Sequence, residues 1–120
     1  MLMLMAAGAQ DPGPAPESLP PGWLRMEMPA GVEIRYLPVA VTYEDYPKMA
    51  LRREEEGTTI LSLQVDPDGQ ITDCQTARSS GSPDLDAQAC LLYRSRGRFE
   101  LRGSAGPVTI KAPVTWQLAD

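Results

Sequence analysis

Val108-Thr109-Ile110-Lys111-Ala112-Pro113-Val114-Thr115-Trp116-Gln117-Leu118 is the stretch that decides the fold of this chain. Side chains at 108, 110, 112, 114, 116 and 118 are apolar and alternate with those at 109, 111, 113, 115 and 117. Successive side chains of a strand point to opposite faces, so this period-two run predicts one long strand with a buried face and a wet one. Pro113 lies inside it and has no N–H for a ladder, which places the strand at a sheet edge, or bulges it there. Donors also alternate between the two sides of a strand. With Pro113 on the open side, Thr109, Lys111, Thr115 and Gln117 are the residues expected to offer hydrogen bonds to a guest strand, while the even-numbered residues pair inward. Equally, Pro113 could serve to blunt the edge against aggregation.

Upstream, Ser82-Pro83-Asp84 reads as a helix start. Ser82 can cap, Pro83 suits the first helical position, and Asp84 and Asp86 complement the positive end of the helix dipole. Leu85, Ala89, Leu92 and Tyr93 fall on one helical face, and Gly97 offers the stop. Before it, Asp66-Pro67-Asp68-Gly69 predicts a tight turn between an alternating strand, Thr59–Val65, and a return strand, Ile71–Arg78. A shorter helix is expected from Tyr46-Pro47, with Tyr46 as the cap and Pro47 at the first position, running to Glu56 and stopping at Gly57. Its three terminal glutamates oppose the dipole, and consecutive helical residues diverge too far to share a metal ion. The resulting fold class is α+β: a small antiparallel or meander-like sheet of about three strands, one covering helix and a short preceding helix.

The remainder of the chain reads as three zones. Residues 1–9, MLMLMAAGA, are apolar and end in small residues, like the tail of a signal peptide. Residues 10–41 read as a proline-rich spacer and an extended lead-in that packs on the domain; Val32, Ile34 and Tyr36 alternate there between Pro29 and Pro38. Residues 42–120 form the domain proper. No apolar run reaches the ~18–20 residues of a membrane-spanning helix.

Composition narrows the function. With 16 acidic against 11 basic residues and a net charge of −5, the chain is a poor match for nucleic acid. It contains no histidine, which removes the commonest general base, the His-activated nucleophiles and the commonest metal ligand. No enzyme, cofactor or small-molecule substrate is expected. Arg94, Arg96, Arg98 and Arg102 make a local basic run, readable as a partner contact or as solvated helix-end charge, and Trp116 and Phe99 read as core. The two cysteines, Cys74 on the return strand and Cys90 on the helix, suit a structural disulfide if the chain is exported, or two buried thiols if it is not.

Several of these landmarks occur together in one order: Tyr46-Pro47, Ala50, Glu56-Gly57, Pro67-Asp68-Gly69, Ser79-Ser80-Gly81-Ser82, Leu85-Asp86, Arg98-Phe99 and a last strand holding Trp116. In that order the segment from about Thr42 to Leu118 resembles the C-terminal domain of the TonB family of energy transducers, including a subgroup with a cysteine pair at these places. The resemblance implies a periplasmic binding module that grips a TonB-dependent outer-membrane receptor, or another envelope protein, by pairing with its extended Ton box. The expected edge is Val108–Leu118. Two features depart from the family: the sequence as read carries no N-terminal membrane helix, so an inner-membrane anchor would require an upstream helix, and Tyr43-Glu44-Asp45 stands where Gln-Pro often precedes the Tyr-Pro. A disulfide-stapled envelope interaction or assembly protein without Ton function is the alternative expectation.

Overall fold

A computed structural model describes residues 19–28, 31–103 and 106–118; the signal-like segment and most of the proline-rich spacer lie outside the described residues. The described elements are strands β1 (Leu24–Met28) and β2 (Val32–Leu37), a 3-10 turn (Tyr43–Asp45), helix α1 (Lys48–Arg52), strands β3 (Gly57–Val65) and β4 (Ile71–Arg78), helix α2 (Pro83–Arg96), and strands β5 (Arg98–Arg102) and β6 (Val108–Trp116). They form two antiparallel three-stranded sheets, ordered β4-β3-β6 and β1-β2-β5.

The first sheet is the one the alternating runs predict. β3 and β4 meet at the Asp66–Gly69 turn, where the Asp66 carboxylate accepts from the N–H groups of Asp68 and Gln70 at 3.0 and 2.9 Å, and Gly69 takes a φ of 87°. Leu61, Leu63 and Val65 of β3, and Ile110, Ala112, Val114 and Trp116 of β6, form its buried face. Helix α2 covers that face with Leu85, Ala89, Leu92 and Tyr93, residues spaced to share one stripe. Burying each large apolar side chain contributes roughly 1.5–3 kcal/mol, so a truncation such as Leu63→Ala removes a substantial part of the core. Ser82 Oγ accepts from the Leu85 N–H, and Pro83 opens the helix, as the local sequence dictates.

The second sheet goes beyond the extended lead-in expected from the sequence. Leu24, Met26 and Met28 alternate with charged residues on β1, turn back through β2, and pair in register from Leu24↔Tyr36 to Met28↔Val32. β5 completes this sheet, with Tyr36 opposite Phe99. Ile34 is fully buried, and the rings of Tyr36, Phe99 and Tyr93 stack with centroids 6.3 Å apart, tying the sheet to α2. Short strands of five and six residues become stable only when paired on both sides of β2.

The short helix departs from expectation at both ends. Pro47, with ψ 140°, is its cap rather than its first turn, and the helix spans five residues. It ends early because Glu54 enters the left-handed region (φ 54°), while the Glu54 N–H donates to Leu51 O at 3.0 Å and the Glu55 N–H to Ala50 O at 2.9 Å. That is a Schellman ending with a non-glycine at the left-handed position. Tertiary contacts impose it: the Tyr46 hydroxyl donates to Glu55 O at 2.7 Å, and Ser82 Oγ lies 2.6 Å from Glu55 Oε1. Gly57 is therefore the start of β3 and not the helix stop. Its φ is 153°, and a Cβ there would lie 2.5 Å from the carbonyl oxygen of Ser80, so this crossing admits only glycine.

Candidate functional site

β6 has β3 on one side and no strand on the other among the described residues. The two pair from Gly57↔Trp116 to Val65↔Val108 without a register shift, and Pro113 stands opposite Ile60. A proline fits an unbroken ladder where its nitrogen faces away from the partner strand. By alternation, the N–H groups of Thr109, Lys111 and Thr115 share that open side, and the even-numbered donors face β3. Leu118, on the even parity, donates its N–H to Glu56 Oε2 at 2.8 Å, back toward the β3 end.

Thr109, Lys111, Pro113 and Thr115 are all exposed on β6, and Gln117 is exposed just past its end. The threonine side chains cross to β3: Thr109 Oγ1 donates to Gln64 Oε1 at 3.0 Å, and Thr115 Oγ1 lies 3.5 Å from Thr58 Oγ1. Lys111 pairs with no carboxylate among the described residues. Trp116 is fully buried and meets the Tyr46 ring edge-on at 5.3 Å; its Nε1 is buried without a hydrogen-bond partner. Phe99, 7 % exposed, is core as read from the sequence.

Three cavities touch β6 among the described residues: one shared with Gly57 and Thr58 of β3, and two whose other walls come from outside β3. Of the latter two, one, of about 190 Å³, lies between β1, β2 and the middle of β6 and is bounded by Leu24, Met26, Tyr36, Phe99, Ala112 and Pro113. The other, of about 330 Å³, lies between the entry segment and the end of β6, bounded by Val41, Thr42, Tyr43, Tyr46, Thr115 and Gln117. Leu24 and Tyr43, exposed by 48 % and 68 %, stand at these two places. None of the flanking residues of β1, β2 or the entry segment follows from the last strand alone. The signal available in the sequence was the alternation of Leu24, Met26 and Met28 with Arg25 and Glu27, ahead of the Val32-Ile34-Tyr36 alternation.

The supports behind the edge are polar clamps. Asp86 accepts from Thr59 Oγ1 (2.8 Å), Ser79 Oγ (2.5 Å), Ser80 N (2.9 Å) and Ser80 Oγ (2.8 Å). Burial alone would raise its carboxyl, but the Ser79, Ser80 and Thr59 donors outweigh burial and hold it below the usual value of 3.8. Asp45 behaves alike: burial is outweighed by Arg96, whose Nη2 lies 2.7 Å away, and by the N–H and hydroxyl of Thr42. Burial pushes the Tyr93 phenol up against a hydrogen bond with the Val39 backbone.

Of the basic run, Arg94 and Arg98 line one cavity beside the Asp68-Gly69 turn, and the others are placed apart by their partners. Arg96 is held by Asp45, Arg98 donates to the Ser95 and Gly97 carbonyls at 3.2 and 2.8 Å, and Arg102 pairs in register with Glu33. Cys74 and Cys90 are joined by a disulfide with Cα atoms 6.0 Å apart, stapling β4 to α2.

The fold and its open edge define a small α+β module whose recognisable surface is a strand edge rather than a pocket of reactive groups. Residues 42–118 match the family described as Gram-negative bacterial TonB protein C-terminal, and the chain belongs to that family. It is similar to Protein TonB of Neisseria meningitidis serogroup C, 30% identical over 73 residues, which covers 61% of this chain and 25% of that protein. Protein TonB of the serogroup B strain MC58 and of the serogroup A strain Z2491 match over the same share of each chain at the same 30% identity. The chain thus spans about a quarter of the length of these relatives. No solved structure matches it significantly.

Proposed function

We propose that this chain is a periplasmic protein-binding module of TonB-dependent transport, which pairs the open side of β6 with an extended segment, a Ton box, of an outer-membrane transporter. The observation that carries the reading is the single-sided pairing of β6, with Pro113 seated in an unbroken register to β3. Strand addition supplies affinity through main-chain hydrogen bonds and specificity through alternate side chains. The donors offered are those of Thr109, Lys111 and Thr115, with Gln117 extending the edge. Pro113 leaves a gap in the middle, so the guest ladder is expected in two short halves. The reading is one of binding, in keeping with the family to which residues 42–118 belong.

The test is an NMR titration of the oxidised chain with synthetic peptides spanning the Ton boxes of transporters from the same bacterium. Shifts of the Thr109, Lys111 and Thr115 amides, with the even-numbered amides of β6 little changed, are expected. Unchanged Thr109 and Thr115 amides at saturating peptide would refute strand addition here. No shifts at all at millimolar peptide would favour an envelope interaction or assembly role without Ton function.

A further inference from the structure

We infer that the β1-β2 hairpin builds a side-chain pocket beside the open edge, and that this pocket selects guest segments carrying one aliphatic or methionine-sized residue next to an acidic one. The inference rests on the strand-addition reading and adds to it the identity of the side chains selected. Most of the residues that wall the pocket lie outside the pairing strand, Leu24 and Met26 of β1 and Tyr36 of β2 among them, while β6 contributes Ile110, Lys111, Ala112 and Pro113. Its volume is about 190 Å³. Apolar cavities of about 150 Å³ admit a benzene-sized group, so one Leu, Ile or Met side chain fits.

Geometry connects the pocket to the edge. Inward-facing side chains of a guest paired to β6 share the face of Ile110 and Ala112, both of which line the pocket. Ala112 is the smallest inward residue of β6 and lies between Ile110 and Val114, leaving room at the one place the hairpin encloses. Pro113 removes the central ladder bond there, so an anchored side chain compensates for the gap. Charge points to the neighbouring guest residue: Lys111 is exposed beside the pocket and unpaired with any carboxylate among the described residues, so an acidic side chain next to the aliphatic one is complemented.

The experiment uses the oxidised full chain, with Met26 and Ile110 methyl groups labelled, and the same Ton-box peptides, each also made with its aliphatic residues changed singly to Ala. In the protein, Leu24→Ser opens one exposed wall without touching the core. The expected result is a shift of the Met26 and Ile110 methyls, together with the β6 amides. One aliphatic→Ala change in the peptide should weaken binding roughly tenfold. Leu24→Ser should weaken the parent peptide but leave the Ala peptide nearly unchanged. Shifts confined to β6 amides, with Leu24→Ser affecting both peptides equally, overturn the pocket while leaving strand addition intact. No β6 shift overturns both. Met26 and Ile110 methyl shifts that follow protein concentration without peptide would assign the pocket to a second copy of the chain and overturn the inference.

Discussion

Asp86 carries the tightest polar cluster among the described residues, and its removal can be worked through from the contacts. Its carboxylate accepts four hydrogen bonds, from Thr59 and Ser79 side chains and from the Ser80 backbone and hydroxyl. A hydrogen bond to a charged group contributes about 1.5–3 kcal/mol, and a buried donor left alone costs about 1–3 kcal/mol. Thr59 is fully buried and would be orphaned, whereas Ser79 is exposed and would recover water. Asp86 also sits in the first turn of α2, where a negative charge adds about 0.3–1 kcal/mol. These contributions overlap, so Asp86→Ala is expected to cost about 3 kcal/mol rather than their sum. At a urea slope near 2 kcal/mol/M, the unfolding midpoint then falls by about 1.5 M. The pH dependence follows with a definite sign. The folded pKa of Asp86 lies below its ordinary 3.8, so its stabilisation is complete above that value and is lost as pH falls through the folded pKa. Urea titrations at pH 7 and pH 2.5 measure both effects, with the penalty shrinking at the lower pH. A folded Asp86→Ala protein that loses less than about 0.5 kcal/mol at pH 7 would refute the clamp.

Reducing the Cys74–Cys90 bridge, or replacing both cysteines by serine, should cost about 3 kcal/mol by the loop-entropy estimate, measured as a lower urea midpoint. Glu54→Gly should stabilise the fold by about 0.5–1 kcal/mol, since φ 54° penalises a side chain, and a differential scanning trace showing no gain would count against a strained Schellman ending. Trp116→Phe should cost no more than about 1–2 kcal/mol because it also removes the unpaired buried Nε1 donor, whereas Trp116→Ala should cost about 3–5 kcal/mol. Pro113→Thr restores a donor on the open side and should tighten peptide binding by roughly two- to tenfold, the worth of one added hydrogen bond, with the β3–β6 register unchanged by NMR.

The local chemistry of this chain determined its elements wherever a short-range pattern was complete. The alternating run from Val108 made the nine-residue β6, the Asp66–Gly69 turn fixed the β3–β4 hairpin, and Ser82-Pro83 set the start of α2, because each depends on neighbours within a few residues. Pro113 even marked the strand as an edge, since a missing N–H is a property of the residue itself. What the sequence did not decide were features that depend on partners far away. The β1-β2 hairpin and β5 are short strands whose alternation spans only five or six residues, and pairing with one another is what stabilises them. The early end of α1 came from Tyr46 and Ser82 reaching Glu55, not from the glutamates that local propensity counted. The same holds for the candidate site. The residues of the edge were readable, but the two cavities beside it are walled by residues of the entry segment and the second sheet, which the last strand does not contain. Local pattern decides which way a side chain faces; only long-range packing decides what it faces.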